Sequence, residues 1–193
     1  MMSGPLLCLP LMRKPMGGHL VCFSWSNQLQ TSGGGAWTVF PPKLLETWGF
    51  SRERLQAGGN PIATCEAAMV SLALLHRAPH IKNTRVVFFV DNSSALHCLV
   101  KGSSKDWYID RAVALTHLIA AMFQLDIHFE FVESGANWAD SISRELSMDT
   151  FSRNNGFAIE DANIPMELYQ VSYPKLIASL NNTLGLMGEE CIG

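Results

Sequence analysis

Hydrophobic and polar positions fall in blocks along this chain, and their period changes near residue 60. Ahead of that point, His19–Trp25 (HLVCFSW) and Ala36–Phe40 (AWTVF) are apolar, β-prone runs, separated by a polar stretch that ends in Gly33, Gly34 and Gly35. Two such runs around a Gly-rich loop predict an antiparallel hairpin. Pro41 and Pro42 stop the second run, because proline cannot donate to a β-ladder. Lys43–Trp48 reads as a short helix or turn, and Gln56–Pro61 as a loop.

Beyond Pro61 the period becomes helical. Ile62, Cys65, Met69, Leu72 and His76 step by three and four, which predicts one apolar helix face ending at Pro79. Arg85–Val90 (RVVFFV) is a short continuous apolar run, as expected of a strand covered on both faces. Asp91, Asn92, Ser93 and Ser94 offer N-cap chemistry for a helix over Ala95–Val100, and Gly102 breaks it. Tyr108, Ala112, Leu115, Ile119 and Met122 form a second helical stripe, with Ser103, Ser104 or Asp106 as its cap. Ile127–Val132 is the next strand, Glu133–Ala136 a tight loop, and Asn137–Leu146 a helix. Strand, helix and strand in that order predict a parallel pair with a right-handed crossover, hence an α/β fold. After Thr150 the pattern is weak, with one helix predicted over Pro174–Leu186.

Composition narrows the class. The 193 residues suit one domain of ordinary size, and 48% hydrophobic against 16% charged residues mark a folded chain. A net charge of −3 gives no overall attraction to nucleic acid, so such a partner needs local patches or metal ions. Five dispersed cysteines without a CxxC pair argue against a disulfide framework or zinc site and for a reducing, intracellular setting, cytoplasmic or nuclear. Residues 1–12 are apolar but lack a leading positive charge and contain two prolines, against a signal peptide. No apolar run is long enough to span a bilayer.

Three carboxylates occupy positions an α/β nuclease would use. Glu66 lies on the first long helix, Asp91 directly follows the strand Arg85–Val90, and Asp140 lies in the first turn of the helix after the next strand. Ligands of α/β sheets gather at the carboxyl ends of strands. Each acid also has a plainer reading: Glu66 as a solvated helix residue, Asp91 as a cap, Asp140 as a partner of a helix dipole. Brought together, three such groups repel unless a hard divalent cation, Mg²⁺ or Mn²⁺, holds them. His76, His80, His97, His117 and His128 show no ligand spacing.

The phrases Ile62–Ala68 (IATCEAA), Val86–Ala95 (VVFFVDNSSA), Lys101–Ser104 (KGSS) and Val132–Arg144 (VESGANWADSISR) carry a resemblance. Together they resemble the ribonuclease H-like domain of retrotransposon reverse-transcriptase polyproteins, in which DNxSA follows the fourth strand and NxADxxSR opens the last helix. Phe40–Trp48 fits the stretch before the glutamate helix, and the resemblance spans about residues 17–146. It implies a mixed five-stranded sheet, antiparallel over its first three strands and parallel thereafter, flanked by helices. Residues 1–149 would form that domain and residues 150–193 a C-terminal extension.

The resemblance also implies cleavage of the RNA strand of RNA–DNA hybrids by a metal-binding set of Asp, Glu, Asp and Asp. Glu66, Asp91 and Asp140 match its second, third and fourth members. By this analogy Glu66 and Asp91 share one Mg²⁺ or Mn²⁺ ion with the attacking water, and Asp140 holds the second. The first member belongs in the first strand, and Leu6–Met12 contains no acid. Taking His19–Trp25 as that strand puts Ser24 or Ser26 in the place, and no Asp or Glu precedes Glu46. Loss of one member of a cooperative set is expected to lower the rate by several orders of magnitude. The family's loop histidine has no counterpart between Phe129 and Asp140.

Three functions follow as alternatives. One is a ribonuclease H-like domain with impaired activity. Another is a working nuclease in which Asp110, Glu130 or Glu133 replaces the missing ligand. The third is a non-catalytic module of the same fold that binds nucleic acid or a protein. For such a module the cations Lys82, Arg85, Lys101, Lys105 and Arg111 form only a thin cluster, with Trp107, Tyr108 and Trp138 as stacking or core residues.

Overall fold

A computed structural model describes residues 6–8, 19–26, 33–58, 60–137, 153–154, 156–170 and 172–190. In chain order these form strands β1 (Leu6–Cys8), β2 (His19–Ser26) and β3 (Gly33–Phe40), then the short helices α1 (Pro42–Thr47) and α2 (Arg52–Gln56). The long helix α3 (Ile62–Arg77) leads to β4 (Arg85–Val90), α4 (Ser93–Lys101), α5 (Trp107–Met122) and β5 (Asp126–Phe131). The chain then adds β6 (Ala158–Asp161), a 3-10 turn at Met166–Tyr169 and the helix α6 (Tyr173–Glu190).

The strands form one mixed sheet in the order β5-β4-β1-β2-β3-β6. β1, β2 and β3 are antiparallel neighbours, whereas β1–β4, β4–β5 and β3–β6 are parallel. The expected sheet had five strands, and the observed one has six. The sixth is β6, which aligns Ala158 with Gly34 and Asp161 with Trp37. Its four residues alternate too little for a strand pattern, so only the exposed ladder edge of β3 defines it. β3 also begins at Gly33 rather than Ala36, because Gly33, Gly34 and Gly35 pair with Ser26, Trp25 and Ser24. That ladder overrides the poor β-propensity of glycine. β5 starts one residue earlier than its hydrophobicity suggests, with Asp126 opposite Arg85 and an ion pair of 2.8 Å joining them at the surface.

The predicted single face of α3 is a finding to correct. Every residue from Thr64 to Leu75 is buried. The helix packs against α5, α4 and β2, and Tyr169 covers it further, so no side of this stretch meets water. Helix ends follow local chemistry. Asn60 Oδ1 accepts from Ile62 N at 3.0 Å, beside Pro61 at the N-cap of α3. Gly102 closes α4 at φ 76°, a conformation that glycine adopts without strain. Of the three candidate caps of α5, Asp106 is the one used, with Oδ1 accepting from Tyr108 N and Ile109 N at 2.9 and 3.1 Å. Asp106→Ala is expected to lower stability by about 1 kcal/mol, read as a reduced midpoint in urea unfolding.

The C-terminal segment belongs to the same core. Leu168, Tyr169, Leu176 and Leu180 are buried with the sheet and helix residues. Tyr169 packs edge-on against Trp48 at 5.9 Å, and Trp48 in turn against Phe40 at 5.4 Å. The Tyr169 hydroxyl lies 2.8 Å from Ser71 Oγ and donates to the carbonyl of Ala68 at 3.1 Å. Arg111 Nε donates to the carbonyl of Leu168 at 3.1 Å, and its guanidinium lies 4.9 Å from the centre of the Tyr173 ring. Among the described residues no helix is long and apolar enough to cross a membrane.

Candidate functional site

β4 delivers Asp91 to the carboxyl edge of the sheet, and α3 carries Glu66 in its second turn. Glu66 is 4% exposed, so it is not a solvated helix residue. Its Oε2 is buried and has no hydrogen-bond partner among the described residues. Both Asp91 carboxylate oxygens are likewise shielded from solvent. The Glu66 carboxyl is pushed up to about 9, first by burial and then by the nearby negative charge of Asp91, while a hydrogen bond from the Asn92 side chain opposes the shift. Two acids from separate elements therefore meet at one strand end.

Asp140 and the whole Asn137–Leu146 helix, apart from Asn137, lie outside the described residues. Asn137 itself is buried. The other acids weighed as replacements are engaged elsewhere. Asp110 accepts from Ser104 N at 2.8 Å and from the Tyr173 hydroxyl at 2.6 Å, tying the start of α5 to α6. Glu130 sits on the edge strand, 3.3 Å from His128 Nε2, and Glu133 is exposed. Among the described residues no group of three or more His, Cys, Asp or Glu side chains is arranged to hold a metal ion.

The strand beside β4 supplies no acid either. In the β1–β4 pairing Leu6, Leu7 and Cys8 lie beside Val87, Phe88 and Phe89, just short of Asp91. Cys65, next to Glu66, offers no nucleophile: burial, and then the Glu66 charge, push its thiol far above the usual range. Trp107 is 47% exposed, whereas Tyr108 packs partly against the core, as its stripe position suggests. Trp138 lies outside the described residues.

Sequence reasoning missed one feature. A cleft of about 590 Å³ lies at the C-terminal end of α3, lined by His76, Arg77, His80, Glu160 and Glu167 among others. His76 Nε2 and Glu160 Oε1 stand 3.0 Å apart across it. No local signal announces that pair, because β6 brings Glu160 to α3 from far along the chain.

The donor set has the chemistry of a hard-cation site. Two carboxylates, one holding a buried oxygen with no hydrogen-bond partner among the described residues, would be relieved of mutual repulsion by a divalent ion and would suit it as oxygen ligands. Glu66 and Asp91 are the described residues that would hold it.

No protein-family model matches the sequence, and no curated protein matches it. Among solved structures the chain is similar to ribonuclease H1 from the halophilic archaeon Halobacterium salinarum NRC-1, at 10% identity and a TM-score of 0.46. That likeness covers 72% of this chain and 92% of the archaeal one. So remote a likeness assigns no activity.

Proposed function

We propose that this chain is a ribonuclease H-like domain of retroelement origin, built for metal-dependent cleavage of RNA–DNA hybrids and impaired in that chemistry. The observation that carries the reading is the buried Oε2 of Glu66, which has no hydrogen-bond partner among the described residues and lies within reach of the charge of Asp91 at the end of β4. A burial of this kind is unfavourable for the fold alone and finds its use in holding a cation. The motifs around Glu66, Asp91 and Asp140 suggest the family, and the antiparallel β1–β3 with parallel β4–β5 are compatible with the mixed sheet it implies. Asp140 is the third ligand in this reading.

A bound Mg²⁺ or Mn²⁺ would lower the pKa of a coordinated water and stabilise charge on the phosphate oxygens. The protein's own part is to fix Glu66 on a helix buried on all sides and Asp91 at the carboxyl end of β4, beside α4. Impairment follows from β1, where Leu6, Leu7 and Cys8 stand in the strand that should bring the first acid beside Asp91. With one bridging ligand lost, ion binding weakens and the set acts less than cooperatively.

The test is incubation of the purified protein with an RNA–DNA hybrid and Mg²⁺ or Mn²⁺, beside Asp91→Asn. The expected result is a rate several orders of magnitude below that of an intact ribonuclease H, with little change on substitution. Brisk cleavage that disappears in Asp91→Asn would overturn the impairment.

A further inference from the structure

The cleft at the end of α3 lies apart from the Glu66–Asp91 pair. His76 stands about 15 Å from Glu66 along the helix, at a rise of about 1.5 Å per residue. The facing wall comes from β6 and the turn after it, so the cleft exists because the C-terminal segment lays Glu160 to Glu167 against α3. Its volume of about 590 Å³ falls among the roughly 300–1,000 Å³ of small-molecule sites.

The lining is apolar at the back and charged at the rim. Leu72 and Leu75, each 1% exposed, form the inner side, and Pro79, Ile164 and Pro165 continue it. The rim is divided by sign. α3 and the turn after it contribute the Arg77 guanidinium with the rings of His76 and His80, whereas the facing wall contributes the carboxylates of Glu160, Asp161 and Glu167. His76 Nε2 and Glu160 Oε1, 3.0 Å apart, are engaged with each other and draw the two walls together. Beside that pair stand Arg77 on one wall and the exposed Asp161 and Glu167 on the other. Among the described residues these groups do not assemble as a metal site. An apolar back with polar groups of both signs at the rim suits an organic molecule.

We propose that this cleft binds a small amphipathic zwitterion, an α-amino acid with a bulky apolar side chain. Its carboxylate meets Arg77, its ammonium meets Asp161 and Glu167, and its side chain lies against Leu72, Leu75 and Ile164. A ligand with one charge alone sets that charge against a like one: an acid meets Asp161 and Glu167, an amine meets Arg77. Such mismatches discriminate as strongly as the matching contacts attract. The proposal does not depend on the reading of Glu66 and Asp91.

The experiment is isothermal titration calorimetry of the full chain at neutral pH with L-phenylalanine, 3-phenylpropionate and 2-phenylethylamine, which share a ring and differ in charge. L-phenylalanine is expected to bind saturably at one site, and each singly charged analogue about 10-fold or more weaker, the effect of losing one charged hydrogen bond. Arg77→Gln and Asp161→Asn are each expected to weaken L-phenylalanine by about 10-fold, with thermal unfolding midpoints close to wild type. Should Arg77→Gln fold poorly, Glu167→Gln, at an exposed position, takes its place. No binding of L-phenylalanine at millimolar concentration would overturn the proposal. So would an analogue that binds as tightly as L-phenylalanine, or wild-type affinity in the folded variants.

Discussion

A chain ending at Gly156 is expected to show no cooperative unfolding transition. The segment beyond it supplies β6, the buried residues Leu168, Leu176 and Leu180, and Tyr169, which is 1% exposed and touches α3 through Ser71 and Ala68. Removing it would uncover the β3 edge together with α3 residues that are otherwise buried along their whole length. Tyr169→Ala alone tests the same packing on the full chain. Emptying a fully buried aromatic site costs about 3–5 kcal/mol, a large share of the 5–15 kcal/mol that typically holds a domain together. The Tyr169 hydroxyl adds to the loss, since Ser71 Oγ is left without its partner at 2.8 Å. Chemical denaturation followed by circular dichroism checks both. A sharp transition with wild-type midpoint in the shortened chain would show that residues 157–193 are dispensable.

The second large effect is expected from Glu66→Gln in metal-free protein. The Glu66 carboxyl is raised by burial from 4.5 to about 9, so between those values the folded chain keeps a proton that the unfolded chain has released. Stability must then fall as pH rises through this window, by at most about 1.4 kcal/mol per pH unit. Glutamine keeps the shape and cannot ionise, so the variant should show a flatter profile and exceed wild type by on the order of 3 kcal/mol at neutral pH. Urea midpoints measured across pH 5 to 9 in the presence of a chelator, for both proteins, give the answer. A wild-type profile as flat as that of the variant would mean that Glu66 is hydrated and not buried as described. A residue whose removal strengthens the fold is one retained for something other than folding.

How much of this was legible beforehand depended on whether the cause was local. The bounds of β4 coincide with the apolar run Arg85–Val90, because a continuous apolar run of that length declares a strand by itself; only one of its faces, Val86, Phe88 and Val90, is fully buried, so the expected cover on both faces is partial. Asp91 was legible for the same reason, as the first polar residue past that run. Glu66 could be picked out by its phrase, but its environment could not. An isolated glutamate on a helix reads as solvated, and only the packing of α5, α4, β2 and Tyr169 around α3 takes it out of water. β6 was invisible because Ala-Ile-Glu-Asp has no strand pattern until β3 offers its edge. Asn92 is the opposite case: its capping of α4 was evident from the sequence, because the N–H groups of Ser94 and Ala95 that it accepts from are its near neighbours in the chain.

The missing acid of β1 is the reason to separate metal binding from turnover. β1 pairs with β4 through Leu6, Leu7 and Cys8, opposite Val87, Phe88 and Phe89, and none of the three is acidic. On the proposed reading, Glu66 and Asp91 would then hold a cation without the partner that makes such a site strong.

The most direct test is a crystal of the protein soaked in Mn²⁺ and measured at a wavelength where manganese scatters anomalously. The account predicts an anomalous peak within coordination distance of both Glu66 and Asp91, at partial occupancy. Carboxylates that point apart with no peak between them at saturating Mn²⁺ would contradict it.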